Sequence, residues 1–169
     1  MVNRQLLTVF IVLITVGAVM ALLPPAPAYA QGRGTVIEVR HSRGCLDIRN
    51  ESRRDRARAQ QYFCHGRRNQ QWLPIPASKS RILLVNGRSG KCLDVRGDAK
   101  RNYATVQQFS CHGGRNQQWY PVRVSSRDVL LVNRRSGKCL DVRGASLRPR
   151  APVRQYACHA QSNQRWRFR

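Results

Sequence analysis

Acidic side chains are scarce in this chain of 169 residues: 8 Asp and Glu stand against 31 Lys and Arg. So few carboxylates leave little material for a paired acid–base site, and no Ser-His-Asp arrangement or phosphate-cradling glycine loop stands out. There is no Cys-x-x-Cys pair, the usual zinc or redox spacing. His65, His112 and His159 each follow a Cys, but a Cys held in a disulfide is neither metal ligand nor nucleophile. No catalytic residue, metal or cofactor is therefore expected. Lysine is nearly absent as well, with Lys79, Lys91, Lys100 and Lys138 the only ones. An arginine-favouring genome would explain that balance but not the shortage of acids. The formal charge of +23 favours anionic polysaccharide, nucleic acid or an acidic membrane surface as a partner.

Long apolar runs are missing apart from residues 6–23, which follow the basic Arg4. Pro24-Pro25-Ala26-Pro27-Ala28-Tyr29-Ala30 comes next and ends in the small-x-small pattern a signal peptidase cleaves. Residues 1–30 read as a signal peptide and 31–34 as a short lead. A retained anchor is the rival reading, but the prolines and Ala-Tyr-Ala have no role in one. No Cys sits just after the run, so lipid attachment is not expected. Cleavage would remove Arg4 and leave a charge of +22 on a secreted protein, read as a monomer. All six Cys lie beyond that point, and an even count in a small secreted domain argues for disulfides. Six cysteines allow 15 connectivities.

What the chain does have is a repeat. Cys45-Leu46-Asp47-Ile48-Arg49 returns as Cys92-Leu93-Asp94-Val95-Arg96 and Cys139-Leu140-Asp141-Val142-Arg143, at steps of 47. A second Cys follows after 19 residues (Cys64, Cys111, Cys158), and a Trp 8 further on (Trp72, Trp119, Trp166). Helical repeats can share this period, but no copy has a ten-residue run with apolar residues at helical spacing. The apolar runs are short and β-branched, interrupted by Gly, Asn, Ser and Arg. In the second copy the spacing predicts strands near 82–86, 91–96, 106–110 and 118–124. Asn86-Gly87 and Ser89-Gly90 supply a turn between the first two. Asn133 is followed by Arg134, so the third copy is expected to turn differently. Three copies are too few for a propeller. Twelve strands would instead close as a barrel capped by hairpins, an all-β trefoil spanning 35–169 with repeats near 35–77, 78–124 and 125–169. The three Trp are expected in its core. Equal spacing lets Cys45–Cys64, Cys92–Cys111 and Cys139–Cys158 pair alike. Each bridge would close a loop of about 20 residues, worth about 3 kcal/mol.

Cys-Leu-Asp, an aromatic before the second Cys, and then Asn69-Gln70-Gln71-Trp72, Asn116-Gln117-Gln118-Trp119 and Asn163-Gln164-Arg165-Trp166 together resemble the ricin-B-type lectin repeat. The resemblance covers the whole of 35–169. It implies a β-trefoil, disulfides within each repeat, and one shallow sugar site per repeat. Asp47, Asp94 and Asp141 would accept hydrogen bonds from neighbouring sugar hydroxyls. Asn69, Asn116 and Asn163 would add amide contacts, and Tyr62, Phe109 and Tyr156 would stack on the sugar face. Gln60 and Gln107 would complete the rim, with Arg154 in their place in the third copy, altering that site or suiting it to acidic sugars. Gln70, Gln117 and Gln164 would brace the Asp from behind. The Gly-containing turn common before the rim Gln is missing here, which implies a reshaped pocket edge.

Two functions follow from this reading. One is a lectin whose weak sites act together on clustered glycans. The other is a cationic polyanion- or envelope-binding protein that uses the trefoil as a scaffold, with anchors at 54–58 and 148–154.

Overall fold

A computed structural model of the protein describes residues 34–169, so the signal-peptide reading of 1–30 lies outside the described residues. Twelve strands form a single antiparallel network: β1 (Thr35–Val39), β2 (Cys45–Ile48), β3 (Ala59–Tyr62), β4 (Gln71–Ser78), β5 (Arg81–Asn86), β6 (Cys92–Val95), β7 (Val106–Phe109), β8 (Trp119–Arg123), β9 (Val129–Asn133), β10 (Cys139–Val142), β11 (Val153–Tyr156) and β12 (Trp166–Phe168). Six of them close a barrel, in the order β1-β4-β5-β8-β9-β12 and back to β1. The hairpins β2–β3, β6–β7 and β10–β11 cap one end. Bridges Arg58 to Gln107, Gln60 to Pro152 and Thr105 to Arg154 join them in a triangle. This is the β-trefoil expected from the repeat.

Alternation along β2 explains why all four of its residues are buried. Leu46 and Ile48 point into the shared core, while Cys45 and Asp47 face the other side, under the hairpin partner. The same holds for Leu93 and Val95 and for Leu140 and Val142. Trp72, Trp119 and Trp166 are fully buried. Each indole Nε1 donates to the carbonyl just before an Asp: Leu46, Leu93 and Leu140, at 3.0–3.1 Å. The core residue therefore also fixes the strand that carries the carboxylate. The cysteines are joined as Cys45–Cys64, Cys92–Cys111 and Cys139–Cys158.

One turn expectation is corrected. The third-copy turn has the same backbone as the second: the Gly90 and Gly137 amides donate to Asn86 and Asn133, and both glycines have positive φ. Gly87 and Arg134 both lie outside the left-handed region, so Arg stands in place of Gly there without backbone strain.

Three buried glutamines absent from the sequence reading lock the lobes together. Gln61 donates to Ser146 and Arg148 carbonyls, Gln108 to Ser52 and Arg54, and Gln155 to Ala99 and Arg101, all within 2.6–2.9 Å. Each Oε1 accepts from a serine hydroxyl, that of Ser42, Ser89 or Ser136, at 2.7 Å. Every lobe thereby grips a loop of another, in a cycle. Replacing Gln108 by Ala should lower the unfolding free energy by about 2–3 kcal/mol, because it abandons two carbonyls and a hydroxyl at once. Urea titration measures this, and a loss below about 0.5 kcal/mol, the size of an ordinary surface change, would show that the clamp is idle.

Candidate functional site

Each cap hairpin presents one open cleft. Strand register places Asp47 opposite Gln60 and Cys45 opposite Tyr62, so carboxylate, amide and ring share a face. The other lobes repeat this with Asp94, Gln107 and Phe109, and with Asp141, Arg154 and Tyr156. A 3-10 turn just before the Trp strand brings Asn69, Asn116 or Asn163 underneath.

The carboxylates are buried, each 2–4 % exposed, and are held by amide donors. Asp47 Oδ1 accepts from Gln60 Nε2 at 2.9 Å, and its Oδ2 from Asn69 Nδ2 at 2.7 Å and Gln70 Nε2 at 3.0 Å. Asp94 has the same partners at 2.9, 2.7 and 3.2 Å in Gln107, Asn116 and Gln117. Gln70 sits behind the cleft and is saturated. Its Nε2 also donates to Phe63 O, and its Oε1 accepts the His65 and Gly66 amides. Gln117 and Gln164 do the same in their lobes.

The Asn contact differs from the one expected. Asn69 Nδ2 is spent on Asp47 and the Ile48 carbonyl, and its Oδ1 is buried with no partner. Flipping the amide would set two oxygens against each other. Asn69 Oδ1 and Gln107 Oε1 are thus unpartnered acceptors buried at the cleft floor.

Arg154 also departs from expectation. Its Nη1 donates to the Tyr103 carbonyl at 2.9 Å, and it does not line the third cleft. Asp141 accordingly keeps only the Asn163 and Gln164 donors, both at 2.9 Å, at Oδ2.

The sequence reading missed two groups. The histidine after the second Cys belongs to each cleft: its Nδ1 accepts a backbone amide, which leaves Nε2–H facing the Asp Oδ2 at 3.6–3.7 Å. Its repetition in register was the available signal. The second group is borrowed. Arg150 lines the first cleft, Arg56 the second and Tyr103 the third, each supplied by another lobe. No comparison of one repeat with the next can show a contact between repeats.

Burial raises the pKa of Asp47, Asp94 and Asp141 above 3.8, outweighing the amide donors and the nearby His. Asp128 goes the other way. Burial pushes it up, but the Arg40 and Arg167 guanidiniums at 2.6 and 2.9 Å prevail and hold it low. The sign of each contribution to stability follows. The three cleft carboxylates favour folding most below the unfolded value near 3.8 and lose that contribution as pH rises through their raised values. Asp128 contributes fully above that value and loses its contribution as pH falls through its lowered one. Carboxyl ¹³C titration should therefore place the three cleft midpoints above 3.8 and that of Asp128 below it. A cleft Asp titrating below 3.8 would contradict this.

A family model for the ricin-type beta-trefoil lectin domain matches residues 33–166. The structure resembles ThreeFoil, a designed 3-fold symmetric protein, at TM-score 0.78 and 40% identity over 79% of this chain and 96% of that one. It resembles the exo-beta-1,3-galactanase 1,3Gal43A from Clostridium thermocellum at 0.78 and 26%, over 80% of this chain but 30% of the enzyme. The ricin B-like lectin of Macrolepiota procera, solved with lactose, matches in fold at 0.69 and 18%, over 81% and 94% of the two chains. Comparison with curated protein sequences gives no match.

Proposed function

The chain belongs to the ricin-type β-trefoil lectin domain family, and from that premise we propose that it is a secreted, non-enzymatic carbohydrate-binding protein with up to three shallow sugar sites. The observation that carries this reading is the threefold Asp–Asn–aromatic cleft, with a buried carboxylate whose pKa is raised by that burial. A carboxylate has about four acceptor positions. Amide donors take three in the first two clefts and two in the third, leaving room for a sugar hydroxyl. The unpartnered Asn69 Oδ1 beneath it is a further acceptor for a hydroxyl that reaches the floor. The half-exposed rings of Tyr62, Phe109 and Tyr156 offer a face to the sugar C–H groups.

Single clefts of this kind bind weakly, and their presence on one rigid body strengthens attachment to clustered glycans. Export is supported by the three disulfides, and no helix among the described residues is long and apolar enough to cross a membrane. The likeness to the galactanase spans under a third of that enzyme, so its activity is not carried over.

A second role in gripping polyanions is favoured by a groove of 500 Å³ whose lining includes Arg49, Arg53, Arg54 and Arg58 and no acidic residue. Salt and mutation separate the two roles. Asp47→Asn, Asp94→Asn and Asp141→Asn together should weaken binding to a neutral glycan array about tenfold or more per cleft. Heparin binding should be unchanged in that variant but collapse as salt rises. Normal array binding by the triple variant would refute the cleft assignment.

A further inference from the structure

The three clefts share a frame but not a rim. The rim position supplied by another lobe is Arg56, Tyr103 or Arg150, and all three have positive φ, 66°, 60° and 68°. That conformation is costly for any residue but glycine, so its retention at three equivalent positions needs a reason at the site it serves. In the third cleft the residue is an aromatic: Tyr103 lies 4.8 Å from the Tyr156 ring, and the cleft is the smallest, at 230 Å³. No arginine lines it. In the first, Arg150 sits over the Tyr62 ring at 5.9 Å, and the nearby Arg67 is paired with Glu51.

The second cleft is different. It is the largest, at 610 Å³, and Arg56, Arg96 and Arg115 line it. All three are exposed, and none forms an ion pair among the described residues. The one acid on the rim, Asp98, is taken by Arg135 at 2.6 Å. At the floor lies Asp94, whose neighbour Gln107 keeps an unpartnered acceptor. A ligand that fits must offer hydroxyl donors to the floor and an anion to the rim. Resting on the carbohydrate reading above, we propose that the second cleft takes an acidic sugar, one bearing a carboxylate or sulfate. The third takes a neutral sugar face between two tyrosines. A bare polyanion meets the rim but not the floor, since it would bring negative charge to Asp94.

Matched sugars test this on the full chain. Galactose and galacturonate, and glucose and glucuronate, differ only at C6, and galactose 6-sulfate adds the sulfate form. NMR titration at about 0.15 M salt, where unspecific attraction is largely screened, reads each cleft separately. Phe109 and His112 report the second, Tyr156 and His159 the third. The acidic members should bind the second cleft about tenfold tighter than their neutral partners, the gain expected of charge-assisted bonds. Arg56→Gln, Arg96→Gln and Arg115→Gln together should erase that preference and leave the third cleft unaltered, which also confirms that the variant is folded. Equal affinity within a pair, or a preference surviving in the variant, overturns the proposal. So does a short oligonucleotide that binds this cleft more tightly than the acidic sugars and is indifferent to Asp94→Asn. Neutral sugars in all three clefts without an acidic preference in the second would overturn this inference alone, whereas silence of every cleft to every sugar would overturn the carbohydrate reading with it.

Discussion

Three buried amides hold the molecule to one geometry. Gln61, Gln108 and Gln155 each reach from one hairpin into a loop of another lobe, and each has its polar atoms satisfied there. An amide in a dry interior is tolerable only in that state. The lobes therefore cannot drift apart without exposing an unpaired group. The gripped loops are also those that carry the cleft rim: the Arg56, Tyr103 and Arg150 amides donate to Gln108, Gln155 and Gln61 carbonyls at 2.8–2.9 Å. Along β3, Gln60 faces its own cleft while Gln61 faces the neighbouring lobe. A single lobe would thus carry only part of a site.

The sparing use of acid becomes intelligible at this level. Of the eight carboxylates, three form the buried floors of the clefts. The other five all engage cations: Glu38 with Arg43 and Arg169, Glu51 with Arg67 and Arg88, Asp55 with Lys91, Asp98 with Arg135, Asp128 with Arg40 and Arg167. Glu38 and Asp128 are the buried ones, and they fasten the last strand to the first and third lobes, where the barrel closes. Nothing acidic remains to neutralise the rest of the arginines, so the surface is basic by construction. The cleft carboxylates alone have no full-strength cationic partner. Their burial opposes folding at neutral pH, the pattern of groups kept for binding rather than for stability.

The period, the Trp core, the Cys pairing and the carboxylate hairpin were legible because each depends on residues of one repeat recurring at fixed spacing. Apart from the cleft histidines, which face the Asp of their own repeat, most of what escaped depends on contacts between repeats. Gln61, Gln108 and Gln155 recur in register too, yet beside Gln60 and Gln107 they read as ordinary strand polar positions. Which of two adjacent amides serves the cleft and which the clamp is decided by strand pleat and lobe packing. Arg154 misled for a related reason: it occupies the position of the rim Gln, but its guanidinium donates to the Tyr103 carbonyl of another lobe. The third turn misled because Gly87 looked like the residue that needed freedom, when the left-handed position is three residues later, at Gly90 and Gly137.

Division of labour between backbone and side chain explains how one repeated lobe can yield unlike clefts. The clamp fixes the rim backbone, so the three positive φ values agree within a few degrees although the residues are Arg, Tyr and Arg. A side chain changed there leaves the core, the disulfide and the carboxylate cradle undisturbed, because none of them contributes to holding that loop. Changes at the floor are constrained in the opposite way. Asp94 is tied to Gln107, Asn116 and Gln117, and the strand before it to Trp119, so altering any one strands the others. The Asp, the Asn and the bracing Gln consequently stay the same in all three lobes, while the position of Gln60 and Gln107, which is Arg154 in the third lobe, and the borrowed rim residue diverge. The charge selectivity proposed for the second cleft would accordingly be set at the position that costs the fold least to vary.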